Sequence, residues 1–272
     1  MNLYDQLQAL QVIPDAHWKW KSYREDITRY IVETSYGHRE IAIFGAGSCN
    51  DIDLKLLTAY FEKVYLLDKD EKAMKDALLK YGLAEHVGIE IKVIDFTGLC
   101  DEDYRHYADA LISEVRKYGK ATRIEDLVKV ALNYLNQFRV KIVSASLDFG
   151  SYDNTVVVGV HSQLISMLEW IWTVILQTLG KEEMQVRQQI IALNNLCVKK
   201  FNDAVFTATQ YHSIIGCEVK RVGQVGSIQG AIQSLEDINL RKLTIINSMQ
   251  IIWPFNELED KRYEMQFNTI KK

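Results

Sequence analysis

The pattern of apolar and polar positions is most regular between residues 39 and 97. Short apolar runs of strand length lie at 41–44 and 64–67, and a third strand is predicted at 89–94. The intervening segments 51–61 and 70–81 carry apolar residues at the three- and four-residue spacing of a helix. Because strands that alternate with helices of this length form parallel βαβ units, the pattern predicts an α/β fold.

The patterns in residues 1–37 and 100–240 predict more helix than strand. Residues 1–37 predict an N-terminal helical segment that Pro14 interrupts. Residues 100–138 predict a helical insertion, since the segment is long for one crossover between strands. The remaining predicted strands are 155–160 and 204–209, and the remaining predicted helices are 162–179, 181–201 and 227–240.

Two extended stretches, 243–253 and 263–270, close the chain. The polar residues NELEDK between them suit a turn, so the pair predicts an antiparallel hairpin. We therefore expect a mostly parallel sheet with a C-terminal antiparallel hairpin, in a domain over 38–272 that follows the helical segment 1–37.

Composition excludes several classes of protein. The chain has 272 residues, of which 48% are hydrophobic and 25% charged, as in an ordinary globular protein. Its formal net charge of −4 argues against a nucleic-acid partner, because nonspecific affinity for nucleic acid comes from excess Lys and Arg. The most apolar stretch, 164–179, is too short and too polar for a membrane span of ~20 residues, so we expect no membrane partner.

The four cysteines contain no CxxC pair, and we expect them to be reduced thiols. The first residues lack the basic and apolar regions of a signal peptide. These two observations predict a cytoplasmic protein, and the sequence predicts no metal site.

Glycines and acids stand at the predicted carboxyl ends of three parallel strands, where ligands bind in open α/β sheets. Gly45 and Gly47 follow the first strand, and such glycines allow a backbone to approach a ligand closely. Asp68 ends the second strand, where a carboxylate can accept both hydroxyls of a ribose. Asp95 ends the third strand, where it can accept from the exocyclic amine of an adenine. The set predicts a cofactor that contains a nucleoside.

The spacing of the glycines bears on which nucleoside cofactor is bound. The dinucleotide fingerprint GxGxxG needs a third glycine for close packing of helix on strand. Here Gly45 and Gly47 are followed by Asn50, so a bound pyrophosphate is less well supported.

The runs IAIFGAGSCNDIDL, VYLLDKD and IKVIDF resemble the first three motifs of the class I S-adenosylmethionine-dependent methyltransferases. The resemblance covers 39–97 and implies a three-layer Rossmann-like fold whose last strand is reversed. It implies that Gly45, Ala46 and Gly47 meet the methionine part of the cofactor, that Asp68 holds the ribose and that Asp95 meets the adenine.

Three further residues take their predicted roles from the same resemblance. Phe96 is expected to be a flat neighbour of the adenine, and Lys69 to border the adenosine. The acid that the family often carries two residues before the first glycine is replaced here by Ile43. Asp51, just past the loop, is expected to take over a polar role toward the amino group of the cofactor.

The resemblance also suggests how the site closes and where the acceptor lies. The segment 1–37 is expected to act as a lid, with Arg24 pairing with the carboxylate of the cofactor. His161 follows the fourth predicted strand, where a neutral imidazole could remove a proton from the acceptor. A histidine that caps the following helix is the structural alternative.

Methyl transfer from S-adenosylmethionine to an O or N atom of a small molecule is the leading interpretation. There are three alternatives. The protein could be a nicotinamide-dependent oxidoreductase, or an enzyme that uses S-adenosylmethionine or its decarboxylated form to donate an alkyl group other than methyl. It could also be a catalytically silent scaffold that binds the cofactor. In the last case the helical insertion and the helix after His161 could form a partner or homodimer interface.

Overall fold

A computed structural model describes residues 2–226 and 228–272. Residues 1 and 227, with which the predicted N-terminal segment and one predicted helix begin, lie outside the described residues. By their internal contacts the residues form two compact units. Among the described residues, the sheet unit comprises 13–96, 147–162, 199–226 and 228–272, and the helical unit comprises 2–12, 97–146 and 163–198.

The sheet unit contains one seven-stranded sheet with the order β3-β2-β1-β4-β5-β7-β6. Its first five strands pair in parallel, and β7 is antiparallel to both β5 and β6. The predicted fold class, a mostly parallel Rossmann-like sheet with a reversed terminal hairpin, is confirmed. The strands are β1 Glu40–Phe44, β2 Lys63–Asp68, β3 Ile89–Val93, β4 Tyr152–Val158, β5 Thr209–Arg221, β6 Thr244–Asn256 and β7 Lys261–Lys271.

Helices cover both faces of this sheet. Inward residues of β1, such as Ile41 and Ile43, share one core with α3, α4 and α5. The opposite face carries Phe44, whose ring packs on Phe201 near the end of α9, and α10 packs beside it against β5. The helices concerned are α2 Ala16–Lys19, α3 Lys21–Thr34, α4 Leu54–Tyr60, α5 Glu71–Tyr81, α9 Gln185–Ala208 and α10 Gln229–Leu240.

Local sequence explains where α5 begins and ends. The Asp70 side chain accepts the backbone N–H of Ala73 at 2.9 Å, which satisfies a free donor of the first turn. Gly82 ends the helix in the left-handed conformation with φ 69°, which glycine adopts readily. Two residues separate the end of β2 from the start of this helix.

The helical unit is built from α1 Leu3–Leu10, α6 Asp101–Tyr118, α7 Ile124–Ser144 and α8 Ser166–Leu179, together with the first part of α9. Its core includes the fully buried Leu111, Leu127 and Trp172. The predicted helical insertion is present as two helices, and the second continues to Ser144 rather than 138. Among the described helices, none is both long enough and apolar enough to cross a membrane.

The predicted fifth strand at 204–209 is wrong. Residues 204–208 form the last turn and a half of α9, and β5 begins only at Thr209. The buried residues Phe201, Val205 and Ala208 are four and three positions apart, which is the spacing of one helix face. Packing of that face overrides the strand preference of the β-branched and aromatic residues in the segment.

Candidate functional site

A glycine loop follows β1 at the carboxyl edge of the sheet. Its backbone turns through left-handed conformations at Gly45 (φ 73°), Gly47 (φ 44°) and Cys49 (φ 46°). The N–H groups of Gly45 and Ala46 both donate to the carbonyl of Leu67, at 2.9 and 3.2 Å. These bonds tie the loop to the end of β2, so the first two predicted cofactor positions share one rim.

Gly45 also lies against the segment that follows β4. A Cβ atom at this position would lie 2.4 Å from Cγ2 of Val160, well inside van der Waals contact. Only glycine fits here, both because of this contact and because of the positive φ. The close approach brings the residues after β4 directly beside the glycine loop.

Asp68 connects the loop to the end of β2. Its Oδ2 accepts the backbone N–H of Gly47 at 3.0 Å, and its Oδ1 accepts that of Asp70 at 2.9 Å. Burial raises the pKa of the Asp68 carboxyl, and these two N–H bonds act in the opposite direction. Each carboxylate oxygen keeps a further lone pair, so the side chain can still accept hydroxyl groups from a ligand.

The predicted site residues around the ends of β2 and β3 differ in their exposure to solvent. The N–H of Ile94 donates to the carbonyl of Asp68 at 3.0 Å, which joins the ends of β2 and β3. The side chains of Asp95 and Lys69 are exposed at this rim. Phe96 is buried, and its ring lies 5.1 Å from that of Phe201. The structure therefore places Phe96 in the aromatic core of the sheet unit.

A cluster of charged residues lies at the far end of the loop. Arg24 donates to the carbonyl of Asn50 at 3.1 Å, and Lys80 donates to the side-chain oxygen of Asn50 at 2.8 Å. Burial raises the pKa of Asp51 to about 6, while the positive charges of Arg24 and Lys80 oppose this shift. Nε of Arg24 is buried and has no hydrogen-bond partner among the described residues. The loop thus ends beside the carboxyl group of Asp51 and the guanidinium of Arg24, which could hold the amino and carboxylate groups of an amino acid.

The predicted general base His161 is completely buried, with 0% of its surface exposed. Nδ2 of Asn202 donates to Asp237 at 2.9 Å, so its Oδ1 faces Nε2 of His161, also at 2.9 Å, as an acceptor. The imidazole then carries its proton on Nε2, and Nδ1 faces the thiol of Cys217 at 3.6 Å. Burial lowers the pKa of His161 to about 4. With both nitrogens engaged, the geometry favours a structural histidine, and the catalytic role stays a prediction without support here.

Glu218 was not among the predicted site residues. It lies on β5 beyond the apolar residues Ile214, Ile215 and Cys217, and it is 4% exposed. An apolar run that ends in an acid is the same signal that identified Asp68, and it could have identified Glu218 once β5 was placed correctly. Ser162 donates its hydroxyl to Oε1 of Glu218.

The described residues contain no group of three or more His, Cys, Asp or Glu side chains arranged to hold a metal ion.

Comparison with known proteins gives fold likeness only. No family model matches the chain, and no curated protein sequence matches it. Among solved structures it is similar to the N-methyltransferase NodS from Bradyrhizobium japonicum WM9, at 10% identity and a TM-score of 0.47, over 96% of this chain and 99% of that one.

Two further structures show the same level of likeness. The magnesium protoporphyrin IX methyltransferase ChlM from Synechocystis PCC 6803, with bound SAH, shares 10% identity over 91% of this chain and 81% of that one, with a TM-score of 0.42. A SAM-dependent methyltransferase from Leishmania major shares 11% identity over 91% and 70%, with a TM-score of 0.46. Likeness at this level carries no conclusion about activity, which has to come from the site itself.

Proposed function

We propose that the sheet unit binds S-adenosylmethionine and that the protein transfers its methyl group to an O or N atom of a small molecule. The observation that carries this proposal is the hydrogen bond between the N–H of Gly47 and Asp68. It joins a glycine loop and a carboxylate at the ends of two neighbouring parallel strands, where nucleoside ligands bind in open α/β sheets.

The residues present fit the chemical groups of this cofactor. Asp68 can accept the ribose hydroxyls, and the exposed Asp95 and Lys69 can border the adenine. Gly45 and Gly47 allow the cofactor to lie against the backbone. Asp51 and Arg24 suit the two charges of an amino acid, and the buried, unpartnered Nε of Arg24 is a donor that a carboxylate would satisfy.

The cofactor supplies a methyl group on a positively charged sulfur, which is already a good leaving group. The protein therefore needs to contribute alignment and exclusion of water more than acid–base chemistry. Asp68 would fix the ribose and the glycine loop the methionine part, while Val160 packs directly against Gly45. A cytoplasmic location and a homodimer remain parts of the proposal that rest on sequence alone.

The start of α4 argues against the oxidoreductase alternative. A dinucleotide places its pyrophosphate on the free N–H groups of the helix that follows the glycine loop. Here α4 begins only at Leu54, and the Asp53 side chain already accepts the N–H groups of Lys55 and Leu56. These two N–H groups are therefore satisfied within the protein and are not offered to a phosphate.

Titration calorimetry tests the proposal directly. We expect the wild-type protein to bind S-adenosylmethionine and S-adenosylhomocysteine, and Asp68→Ala to lose at least ~10-fold in affinity for both, about 1.4 kcal/mol. Asp76→Ala, an exposed acid on α5, is the matched control and should bind as the wild type does. Absence of binding at millimolar ligand would overturn the proposal, and NADH binding in its place would favour the oxidoreductase. Binding without methyl transfer to any small molecule would favour the scaffold.

A further inference from the structure

The carboxylate of Glu218 is buried without a positive partner. Oε1 accepts the hydroxyl of Ser162, whereas Oε2 has no hydrogen-bond partner among the described residues. No Lys, Arg or His of the described chain forms an ion pair with Glu218. A buried carboxylate with an unsatisfied oxygen costs free energy, and groups held at such a cost are concentrated at functional sites.

Two more polar atoms without partners lie on the aromatic residues around this carboxylate. Tyr23 is 3% exposed and Trp253 is 5% exposed. Their rings stack with centroids 5.8 Å apart and planes 14° apart. The hydroxyl of Tyr23 and Nε1 of Trp253 are both buried, and neither has a hydrogen-bond partner among the described residues.

Gly159 shows that these groups converge. A Cβ atom on Gly159 would lie 3.6 Å from the Trp253 ring and 3.9 Å from Oε2 of Glu218. The carboxylate and the indole therefore border the same point of the backbone after β4. The next residue, Val160, is the one that contacts Gly45 of the glycine loop. Glu218 thus lies two contacts away from the position where the methionine part of the cofactor is expected.

We propose that Glu218 receives the methyl acceptor and that the acceptor is an amine, held between the carboxylate and the rings of Tyr23 and Trp253. This inference rests on the proposed function and specifies its acceptor. A carboxylate without a neighbouring cation repels carboxylate and phosphate acceptors. The unpartnered Oε2 of Glu218 and the unpartnered hydroxyl of Tyr23 can both accept hydrogen bonds from the N–H groups of an amine.

The chemistry balances with the residues named. The nitrogen lone pair forms the new bond to the methyl carbon, and the carbon–sulfur bond breaks with its electron pair moving to sulfur. Sulfur becomes neutral and the nitrogen becomes positively charged. A proton on that nitrogen then passes to Oε2 of Glu218, which leaves a neutral methylated amine and a protonated carboxyl. Burial raises the pKa of the Glu218 carboxyl, which makes it a better proton acceptor than an exposed glutamate.

Saturation-transfer NMR with three small probes tests the inference on the full-length protein saturated with S-adenosylhomocysteine. Propylamine, 1-propanol and propionate have the same chain length and differ in the terminal group. We expect propylamine to bind at least ~10-fold more tightly than propionate, and Glu218→Gln to reduce propylamine binding at least ~10-fold. Glu264→Gln, at a half-exposed acid on the neighbouring strand β7, is the control and should leave all three unchanged.

A second variant guards against loss of fold at position 218. Ser162→Ala removes the partner of Oε1 but keeps the carboxylate, so propylamine preference should persist. Equal binding of propionate and propylamine, or propylamine binding that Glu218→Gln leaves intact, would overturn the inference. Calorimetry with S-adenosylhomocysteine on the same samples separates the two proposals. If that ligand binds and the amine preference is missing, only the acceptor assignment falls; if the ligand does not bind, the proposed function falls.

Discussion

Gly45 and Val160 lie so close together that a Cβ atom on residue 45 would stand 2.4 Å from Cγ2 of the valine. The contact joins the loop after β1 to the segment after β4, and no side chain larger than hydrogen can be inserted without movement of one of them. Because both segments border the proposed cofactor site, strain introduced here should be read out in binding as well as in stability.

Gly45→Ala should lower the free energy of unfolding by about 2–4 kcal/mol, since it combines a positive φ with a steric clash. Gly37→Ala has a similar φ of 61° but no atom within 4 Å, so it should show only the conformational part, about 1–2 kcal/mol. Val160→Ala should recover the steric part in the double variant. Chemical denaturation measures all four proteins, and an equal loss for the two glycine variants would contradict the contact.

Asp51→Asn should make the protein more stable at pH 8 by about 1–3 kcal/mol. The pKa of Asp51 is raised from 3.8 to about 6, so the folded protein holds a proton there that the unfolded chain has lost. Wild-type stability therefore falls as pH rises from about 4 to about 6, and the asparagine variant lacks this decrease. The difference should vanish below pH 4, as denaturation curves across pH will show.

The control for that experiment is Asp76→Asn, an exposed acid paired with Lys72 on α5, which should change stability by less than about 0.5 kcal/mol at any pH. Calorimetry should show that Asp51→Asn binds S-adenosylhomocysteine more weakly in spite of its greater stability. A variant that is less stable than the wild type at pH 8 would show that Asp51 is not held at an energetic cost.

His161→Ala should destabilise the protein by about 2–4 kcal/mol, because it leaves a cavity and removes the partners of Asn202 and Cys217. The pKa of His161 is lowered to about 4, so the unfolded chain takes up a proton between pH 6.5 and 4 that the folded protein does not. Wild-type stability accordingly decreases as pH falls through this range, and the variant should lose that part of the decrease.

The exposed His106 on α6 supplies the comparison, since His106→Ala should change stability by less than about 1 kcal/mol. Affinity of His161→Ala for S-adenosylhomocysteine should stay within about threefold of the wild type, under conditions where the variant is folded. A variant as stable as the wild type but without methyl transfer would restore the general-base role.

Tyr23→Phe should leave stability unchanged or raise it by up to about 1 kcal/mol, because the hydroxyl it removes is buried without a partner. Tyr30→Phe, on the same helix, removes a hydroxyl that accepts a hydrogen bond from Thr269 at 3.0 Å and should cost about 1 kcal/mol. Thermal denaturation should therefore show Tyr23→Phe to be more stable than Tyr30→Phe by at least about 1 kcal/mol. Propylamine binding should weaken only in Tyr23→Phe, and a stability loss there would show that the hydroxyl is satisfied in solution.

The first half of the fold could be predicted from sequence because each element carries its own signal. The strands β1 and β2 contain apolar runs, β3 alternates apolar and charged residues, and β2 ends in Asp68 shortly before the N-cap of α5. The loop and Asp68 meet because carboxyl ends of parallel strands share one rim, which needs no knowledge of long-range packing.

The second half could be predicted less well, since packing rather than local preference decides it. Residues 204–209 have strand-like composition, but burial of Phe201, Val205 and Ala208 on one face extends α9 as far as Ala208. Because the sequence predicts the fifth strand at 204–209 rather than at Thr209–Arg221, it does not identify Glu218 as an acid that follows an apolar run. The burial of His161 and the convergence of Tyr23 with Trp253 depend on contacts between residues far apart in sequence.

Three carboxyl groups in the sheet unit, those of Asp51, Asp68 and Glu218, have pKa values raised by burial. Under the proposed function, such a poorly hydrated negative region distinguishes a sulfonium donor from the neutral thioether left after the methyl group has gone. The donor should therefore be retained more strongly than the spent cofactor. Loss of one positive charge in the reaction would weaken retention, ease exchange for a fresh molecule and limit inhibition by accumulated product.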